Sequence, residues 1–160
     1  MLIGLAHVAV CVDDVEAAVA WYESVLGMRV LSPPYLMEGD AISEDMGELL
    51  SPPVAVKAAI VGVEASDQVI EVIEYPNQEL GAAAAPGVAR PGFTHVGLVC
   101  DDLDATRASL AGAGVELLTS GVASVAGLRT AWISDPWGNV FILLEKRHGD
   151  RPYWRQHAPA

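Results

Sequence analysis

The chain has little positive charge and few cysteines, and both shortages narrow the functions open to it. Its 160 residues include 9 Lys and Arg against 21 Asp and Glu, a formal net charge of −12. A nucleic-acid-binding protein neutralises phosphates with a cationic surface, so this composition argues against nucleic acid as a partner. The two cysteines, Cys11 and Cys100, form neither a metal-type pair nor a disulfide framework.

Long hydrophobic runs are also missing. No apolar segment approaches the roughly 20 residues that cross a bilayer, and the apolar N-terminus lacks the basic residues that begin a secretion signal. Hydrophobic residues nevertheless make up 52% of the chain, which suits a packed core rather than a disordered chain. We therefore expect a soluble, cytoplasmic, globular protein with no membrane partner.

The chain contains an internal repeat. The segment HVAVCVDDVEAAVAWYESVLG, starting at His7, aligns with HVGLVCDDLDATRASLAGAG, starting at His95, at an offset of 88 residues. The later segment VIEVIE, starting at Val69, aligns with VFILLE, starting at Val140, at an offset of 71. The difference between the offsets makes the first copy 17 residues longer. We assign this excess to a long loop over 33–53, which is rich in proline and acidic residues.

Each copy is predicted to form one β-α-β-β-β module of an α+β fold. Alternating, β-branched residues indicate strands, and helical spacing indicates one helix. In the first copy Asp13 or Asp14, which align with Asp101 and Asp102 of the second, is expected to begin the helix, and Gly27 to end it. In the first copy we expect a strand over 5–12, a helix over 15–26, and strands near 28–32, 55–63 and 68–75. In the second we expect a strand over 94–100, a helix over 102–112, and strands near 115–119, 128–134 and 139–146.

The predicted domain boundaries follow from these elements. The first module covers 1–75 and the second covers 92–147. Between them, 76–91 is rich in Pro, Gly and Ala and is expected to be a linker. The last residues, 148–160, form a polar tail with aromatic side chains, which we expect on the surface or over the mouth of a cavity.

His7, Glu71 and His95 are the residues whose chemistry this pattern singles out. Strand alternation turns His7 and Glu71 away from the helix-covered face, and His95 takes the place of His7 in the second copy. A single histidine is more often a packed residue, but two at equivalent positions favour a shared role. A carboxylate inside the hydrophobic strand VIEVIEY is costly to bury without a cation or another partner. Two imidazoles and one carboxylate suit a borderline or hard divalent ion.

These motifs resemble those of the vicinal oxygen chelate superfamily, which includes glyoxalase I, methylmalonyl-CoA epimerase, extradiol dioxygenases and the fosfomycin and bleomycin resistance proteins. The resemblance extends from His7 to Glu145 and rests on HVAVCVDD, WYESVLGM, VIEVIEY, GFTHVGLVCDD and DPWGNVFILLE. It implies two modules that form a U-shaped, half-barrel mixed sheet around a central cavity. It also implies a homodimer whose bound metal receives the adjacent oxygens of a small substrate.

The resemblance assigns metal ligands by position. It implies that His7, Glu71 and His95 bind one divalent ion, whose identity among Fe, Zn, Ni, Mn and Mg these residues do not reveal. The family's fourth ligand is an acid four residues after the glycine of the DPxGN turn. That position holds Ile142, which has no donor atom. This chain therefore departs from the pattern of the metal-binding members.

Several nearby residues are weaker substitutes for the missing ligand. Glu145 lies an odd number of residues from Ile142, so a regular strand turns it to the opposite face. We expect Glu145 and its counterpart Glu74 to lie on the solvated surface. His148, or an acid of the predicted loop such as Glu44 or Glu48, is a further alternative.

Two functions fit the sequence. The first is a metal-dependent enzyme, either a lyase or isomerase that polarises a carbonyl or a dioxygenase. Glu44 and Glu48 are its candidate general bases, although each is more simply a surface acid. The second is a metal-free protein that binds an antibiotic or another small molecule; it explains Ile142 but gives the two histidines and Glu71 no role. The missing acid and the lack of a basic cluster argue against glutathione-linked and CoA-linked chemistry.

Overall fold

The repeat in the sequence reappears as two separate sheets, one from each copy. The computed structural model describes residues 4–63, 68–81, 88–89 and 91–156. It divides the chain into unit one, Met1–Ala82, and unit two, Ala83–Ala160. None of the described helices is both long and apolar enough to cross a membrane.

Unit one is a four-stranded mixed sheet with one long helix. Its elements are β1 (His7–Cys11), α1 (Val15–Leu26), β2 (Arg29–Glu38), α2 (Asp40–Met46), β3 (Ala55–Gly62) and β4 (Val69–Glu74). The strand order is β1-β4-β3-β2, with β1 parallel to β4 and the other neighbours antiparallel. The inward side chains of β1, β4 and α1 are buried on the helix-covered face, among them Val12, Val72, Val15 and Tyr22. We call the other side of each sheet its open face.

The extra residues of the first copy do not form a long loop, so that prediction is wrong. Strand β2 continues through Pro33 and Pro34, where its register with β3 shifts. The strand tolerates two prolines because it lies at the edge of the sheet, where missing N–H donors cost little. Helix α2 follows, and its Ile42 and Met46, one turn apart, pack against a buried cluster on β3 and the residue before it, which comprises Val54, Val56 and Ala58.

Unit two forms a similar mixed sheet, with an additional short strand that forms a hairpin with its neighbour. Its elements are β5 (Val96–Cys100), α3 (Leu103–Gly112), β6 (Glu116–Leu117), β7 (Ala123–Val125), β8 (Leu128–Ser134) and β9 (Val140–Lys146). The order is β5-β9-β8-β6, with β7 also paired to β8. The strand predicted over 115–119 is reduced to the two residues of β6. The unpredicted β7 joins β8 through Ala126 and Gly127, which both have positive φ.

The C-terminal residues are anchored by one buried side chain. Gln156 accepts a hydrogen bond from the backbone N–H of His148 at 2.9 Å and donates to the carbonyls of His148 and Arg151, each at 2.9 Å. A Cβ on Gly127 would lie 2.4 Å from the carbonyl oxygen of Gln156, so the β7–β8 turn needs glycine there. The described part of the predicted tail is therefore packed against β7–β8. The predicted linker holds no helix or strand in its described residues, and 82–87 and 90 fall outside them.

Both long helices begin at the predicted aspartates. The carboxylate of Asp14 accepts a hydrogen bond from Ala17 N at 2.9 Å, and Asp102 accepts one from Ala105 N at 2.9 Å. Gly27, with φ 67°, ends α1 as predicted. Short acids at these positions satisfy N–H groups that have no partner within the helix, and they suit its positive end.

A glutamate from the last strand of each unit also binds the helix start. Glu74 Oε2 accepts a hydrogen bond from Val15 N at 3.0 Å, and Glu145 Oε2 accepts one from Leu103 N at 2.7 Å. The expectation that both glutamates lie on the solvated surface is therefore wrong. Strand alternation turns them towards the helix, and the first N–H groups of the helix attract a carboxylate there.

A basic residue on the neighbouring strand completes each arrangement. Arg129 on β8 lies 2.9 Å from Glu145 and 2.7 Å from Asp104, and these two carboxylates raise the pKa of its guanidinium. In unit one, Lys57 on β3 pairs with Glu16 and lies 4.0 Å from Glu74. Each set of one strand cation, one strand glutamate and one helix acid is called here a helix clamp.

We predict that Glu145→Ala lowers the free energy of unfolding by about 1.5–3 kcal/mol. The change removes two charge-assisted hydrogen bonds and leaves Arg129 and the first N–H of α3 without their partner. Denaturant unfolding followed by circular dichroism measures the effect, with Glu79→Ala, at an exposed position, as the control. Equal denaturation midpoints for the two variants would contradict a stabilising helix clamp.

Candidate functional site

His7 and Glu71 meet on the open face of unit one. The distance between His7 Nε2 and Glu71 Oε2 is 3.1 Å. The parallel pairing of β1 and β4 produces this contact, because it places Glu71 opposite Ala9, two residues after the histidine. The Glu71 side chain is only 19% exposed whereas that of His7 is 47% exposed. The pair is therefore partly desolvated on one side and accessible to a ligand on the other.

Apolar and aromatic side chains surround this pair. Ile60 lies opposite Glu71 on β3, while Ile73 and Tyr75 pack into the cluster that α2 covers. Burial raises the pKa of the Tyr75 phenol, and electrostatic interactions with Cys11 and Glu71 raise it further. The phenol thus keeps its proton near neutral pH. Sequence reasoning missed Tyr75, although it continues the alternation of Glu71 and Ile73 in VIEVIEY.

In unit two, His95 has two partners that sequence reasoning also missed. Its Nδ1 lies 2.7 Å from the Thr94 hydroxyl oxygen. Its ring meets that of Trp132 edge-on, with centroids 4.8 Å apart and an interplanar angle of 73°. In the tautomer whose Nδ1 is protonated, Nδ1 donates a hydrogen bond to the Thr94 hydroxyl oxygen and Nε2 keeps a lone pair for a ligand. The counterpart of Thr94 in the first copy is Ala6, so no sequence repeat marked this contact.

Ile142 occupies in unit two the position that Glu71 occupies in unit one. Glu71 pairs with Ala9 on one side and Ile60 on the other. Ile142 pairs in the same way with Gly97 and Trp132. The register therefore places an apolar side chain at the site of the missing acid, with an indole beside it.

Glu145 and His148 lie near the end of β9, but their described contacts serve the scaffold. The Glu145 carboxylate belongs to the helix clamp of α3. The backbone N–H and carbonyl of His148 bond to the side chain of Gln156.

Glu44 and Glu48 are both exposed. Glu44 lies on α2, two residues from Ile42 and from Met46, which pack on the sheet. Residues two positions apart on a helix do not share a side, so Glu44 points away from that cluster. Glu48 follows Gly47, just beyond the helix. The assignment of either residue as a general base stays a prediction.

Within the residues that the structure describes, one group of three acids has oxygens within 4.8 Å of one another: Asp14, Glu16 and Glu74. These acids already have partners, because Lys57 pairs with Glu16, and Ala17 N and Val15 N donate to the other two. We assign this group to the helix clamp of α1 and not to a metal centre.

The donor atoms on the open faces suit a divalent ion. A zinc-like ion binds His nitrogen and carboxylate oxygen at about 2.0–2.2 Å. His7 Nε2 and Glu71 Oε2, 3.1 Å apart, are close enough for one ion to contact both. In unit two, His95 is a second imidazole, and one of its ring nitrogens is already held by Thr94.

We predict that Thr94→Val releases the His95 ring from its present orientation. The valine keeps the branched shape but removes the oxygen that binds Nδ1. Nitrogen NMR of the imidazole should show one tautomer in the unchanged protein, a mixture in Thr94→Val, and one tautomer in Thr94→Ser, which restores the hydroxyl. Identical spectra for all three proteins would show that the hydroxyl does not orient the ring.

Known proteins place these features in context. The family model "Glyoxalase/Bleomycin resistance protein/Dioxygenase superfamily" matches residues 4–143. Among curated proteins, none matches the chain significantly. Among solved structures, a glyoxalase family protein from Bacillus cereus is similar with a TM-score of 0.78 and 21% identity, over 92% of this chain and 97% of that one.

Two further structures differ in what they bind. TnmS3, an antibiotic binding protein from Streptomyces sp. CB03234, has a TM-score of 0.59 and 20% identity, over 91% of this chain and 97% of that one. A mutant of the fosfomycin resistance protein FosX from Listeria monocytogenes, solved with Mn(II) and a dihydroxypropylphosphonic acid, has a TM-score of 0.57 and 14% identity, over 98% and 96%. At these identities the likeness shows the fold alone. The match of the family model over most of the chain shows that the protein belongs to the glyoxalase, bleomycin resistance protein and dioxygenase superfamily.

Proposed function

We propose that the protein is a divalent-metal-dependent enzyme that acts on a small, oxygen-chelating substrate, with His7, Glu71 and His95 as the metal ligands. The contact of 3.1 Å between His7 and Glu71 on an open face is the observation that carries this proposal. We also propose that it acts in the cytoplasm, and that it forms a homodimer, as the resemblance implies. FosX shows that Mn(II) is bound within this superfamily.

The ligand set would leave coordination positions for a substrate. Ile142 contributes no donor atom, so three protein ligands remain, and the other positions are open to water or substrate oxygens. A bound divalent ion would polarise a substrate oxygen as a Lewis acid. Both a glyoxalase-like lyase or isomerase and a dioxygenase are compatible with this set.

The residues of the chain itself would then position the substrate and move protons. The protonated phenol of Tyr75 can donate a hydrogen bond at the open face of unit one. Glu44 and Glu48 are the acids proposed to accept a proton, each after a movement that brings its exposed carboxylate to the substrate. The partly buried Glu71 is held beside His7, where it can orient the imidazole even before a ligand arrives.

A metal-free protein that binds a small molecule is the second candidate. Ile142 and Trp132, side by side on β9 and β8, favour it because they give unit two an apolar binding face without the usual acid. The fold is also that of TnmS3, which is an antibiotic binding protein. In this alternative the His7–Glu71 contact is only an ion pair on the wall of a pocket.

We predict about one divalent ion per chain in protein purified without chelator. His7→Ala, Glu71→Ala and His95→Ala should each lose most of it, as measured by mass spectrometry of the metal content. His148→Ala is the matched control and should keep its metal. Protein without metal, or unchanged content in all three variants, would favour the second candidate, and metal loss in His148→Ala would make that residue a ligand.

We predict that Glu44→Gln or Glu48→Gln slows proton abstraction about a hundredfold and leaves the metal in place, since amides cannot accept the proton. Deuterium exchange from solvent into hydroxyacetone, followed by NMR, measures this step. Glu79→Gln provides an exposed acid as the control. Full exchange rates in both variants would exclude these residues as the base.

A further inference from the structure

Trp132 adds an indole to the open face of unit two. Its counterpart in unit one is Ile60, which pairs with Glu71 as Trp132 pairs with Ile142. The indole meets the His95 ring edge-on, so it stands directly beside a proposed metal ligand. Gly97 lies on the other side of Ile142, and the side chains of Leu144 and Ile142 reach over it, 3.2 and 3.7 Å from where a Cβ would lie.

Apolar groups continue along this face. Val99 alternates with Gly97 within β5, so both lie on the same side of the strand, and Phe93 precedes the strand by three residues. Phe93 is 88% exposed and Val99 is 56% exposed. Trp132 and Ile142 are both only partly buried. Exposed apolar side chains beside polar groups are typical of a binding site.

Positive charge is not available on the strands that form this face. Within the fully described strands β5, β8 and β9, the basic residues are Arg129 and Lys146. Arg129 is held in the helix clamp on the opposite face. Lys146 Nζ donates to the carbonyls of Gly149 and Arg151, at 3.0 and 3.1 Å. An anionic substrate group would therefore find no counter-charge from these strands.

We propose that Trp132 is a specificity-determining residue, and that the substrate is an oxygen chelator whose remaining part is uncharged and aromatic. The ring of the substrate would pack against Trp132 and Ile142 while its oxygens bind beside His95. This inference rests on the proposed function, because the ion supplies the attraction for the oxygens. Trp132 selects among chelators by burying apolar area and by the preferred contact of two aromatic rings.

Hydroxamates test the inference because they share one bidentate oxygen head and differ in the remainder. The probes are acetohydroxamate, benzohydroxamate and 4-carboxybenzohydroxamate. Calorimetric titration into metal-loaded protein should show benzohydroxamate binding about tenfold more tightly than acetohydroxamate, because its ring gains an aromatic contact and buried area. The added carboxylate should abolish most of this gain, since no cation meets it.

Three variants separate the role of the indole from general damage to the fold. Trp132→Leu should bring the affinities for benzohydroxamate and acetohydroxamate close together, and Trp132→Phe should keep most of the difference. Trp21→Leu removes a tryptophan from α1, on the helix-covered side of unit one, and should leave the difference unchanged. If Trp132→Leu does not fold, the affinities of the three probes for the unchanged protein and for Trp132→Phe still test whether the site prefers an uncharged aromatic group.

The outcomes distinguish this inference from the proposed function. Equal affinities for the two uncharged probes on metal-loaded protein, or tighter binding of the carboxylated probe, would overturn the inference and leave the metal site intact. A tenfold preference that persists after the metal is removed, and disappears in Trp132→Leu, would support the aromatic surface and overturn the metal enzyme. Absence of binding in either form would overturn both.

Discussion

The parallel pairing of the first and last strands of each unit is the constraint on which the site depends. It sets the residue two positions after the histidine against the middle of the last strand, as Ala9 against Glu71 and Gly97 against Ile142. Any side chain at that middle position therefore lies beside the histidine strand, although the sequence separates the two by more than forty residues. A carboxylate there contacts the histidine, as Glu71 contacts His7, and an isoleucine there gives an apolar wall.

Much of the fold follows from the sequence, because periodicity and caps are local signals. Strand alternation, Asp14, Asp102 and Gly27 marked where α1 and α3 begin and where α1 ends, and the structure confirms these positions. Helix α2 was missed because prolines on either side of it and acids within it dominate the composition of 33–53, whereas only Ile42 and Met46 indicate a packed side. These two side chains are partly buried because they pack against residues on or just before β3, which follows α2 in the chain.

The site was predicted less completely than the fold, and the reason is physical. His7 and Glu71 stood out because a repeat and a costly buried charge are visible in one dimension. Thr94 and Trp132 acquire their roles only through contacts with His95, and one of them lies on a different strand. Glu145 was expected in solvent because its partners, Leu103 N and Arg129, come from two other elements. Pairwise contacts between distant segments leave no periodic trace.

The helix clamps give the duplication a further meaning. On each last strand, alternate residues serve different faces. On β4, Glu74 bonds the start of the helix, whereas Glu71 lies on the open face beside His7. Each last strand therefore contributes residues to the helix clamp on one face and to the open face on the other. The residue that bonds the start of the helix is a glutamate in both copies. The residue at the middle of the open face is a carboxylate in unit one, Glu71, and a hydrocarbon in unit two, Ile142.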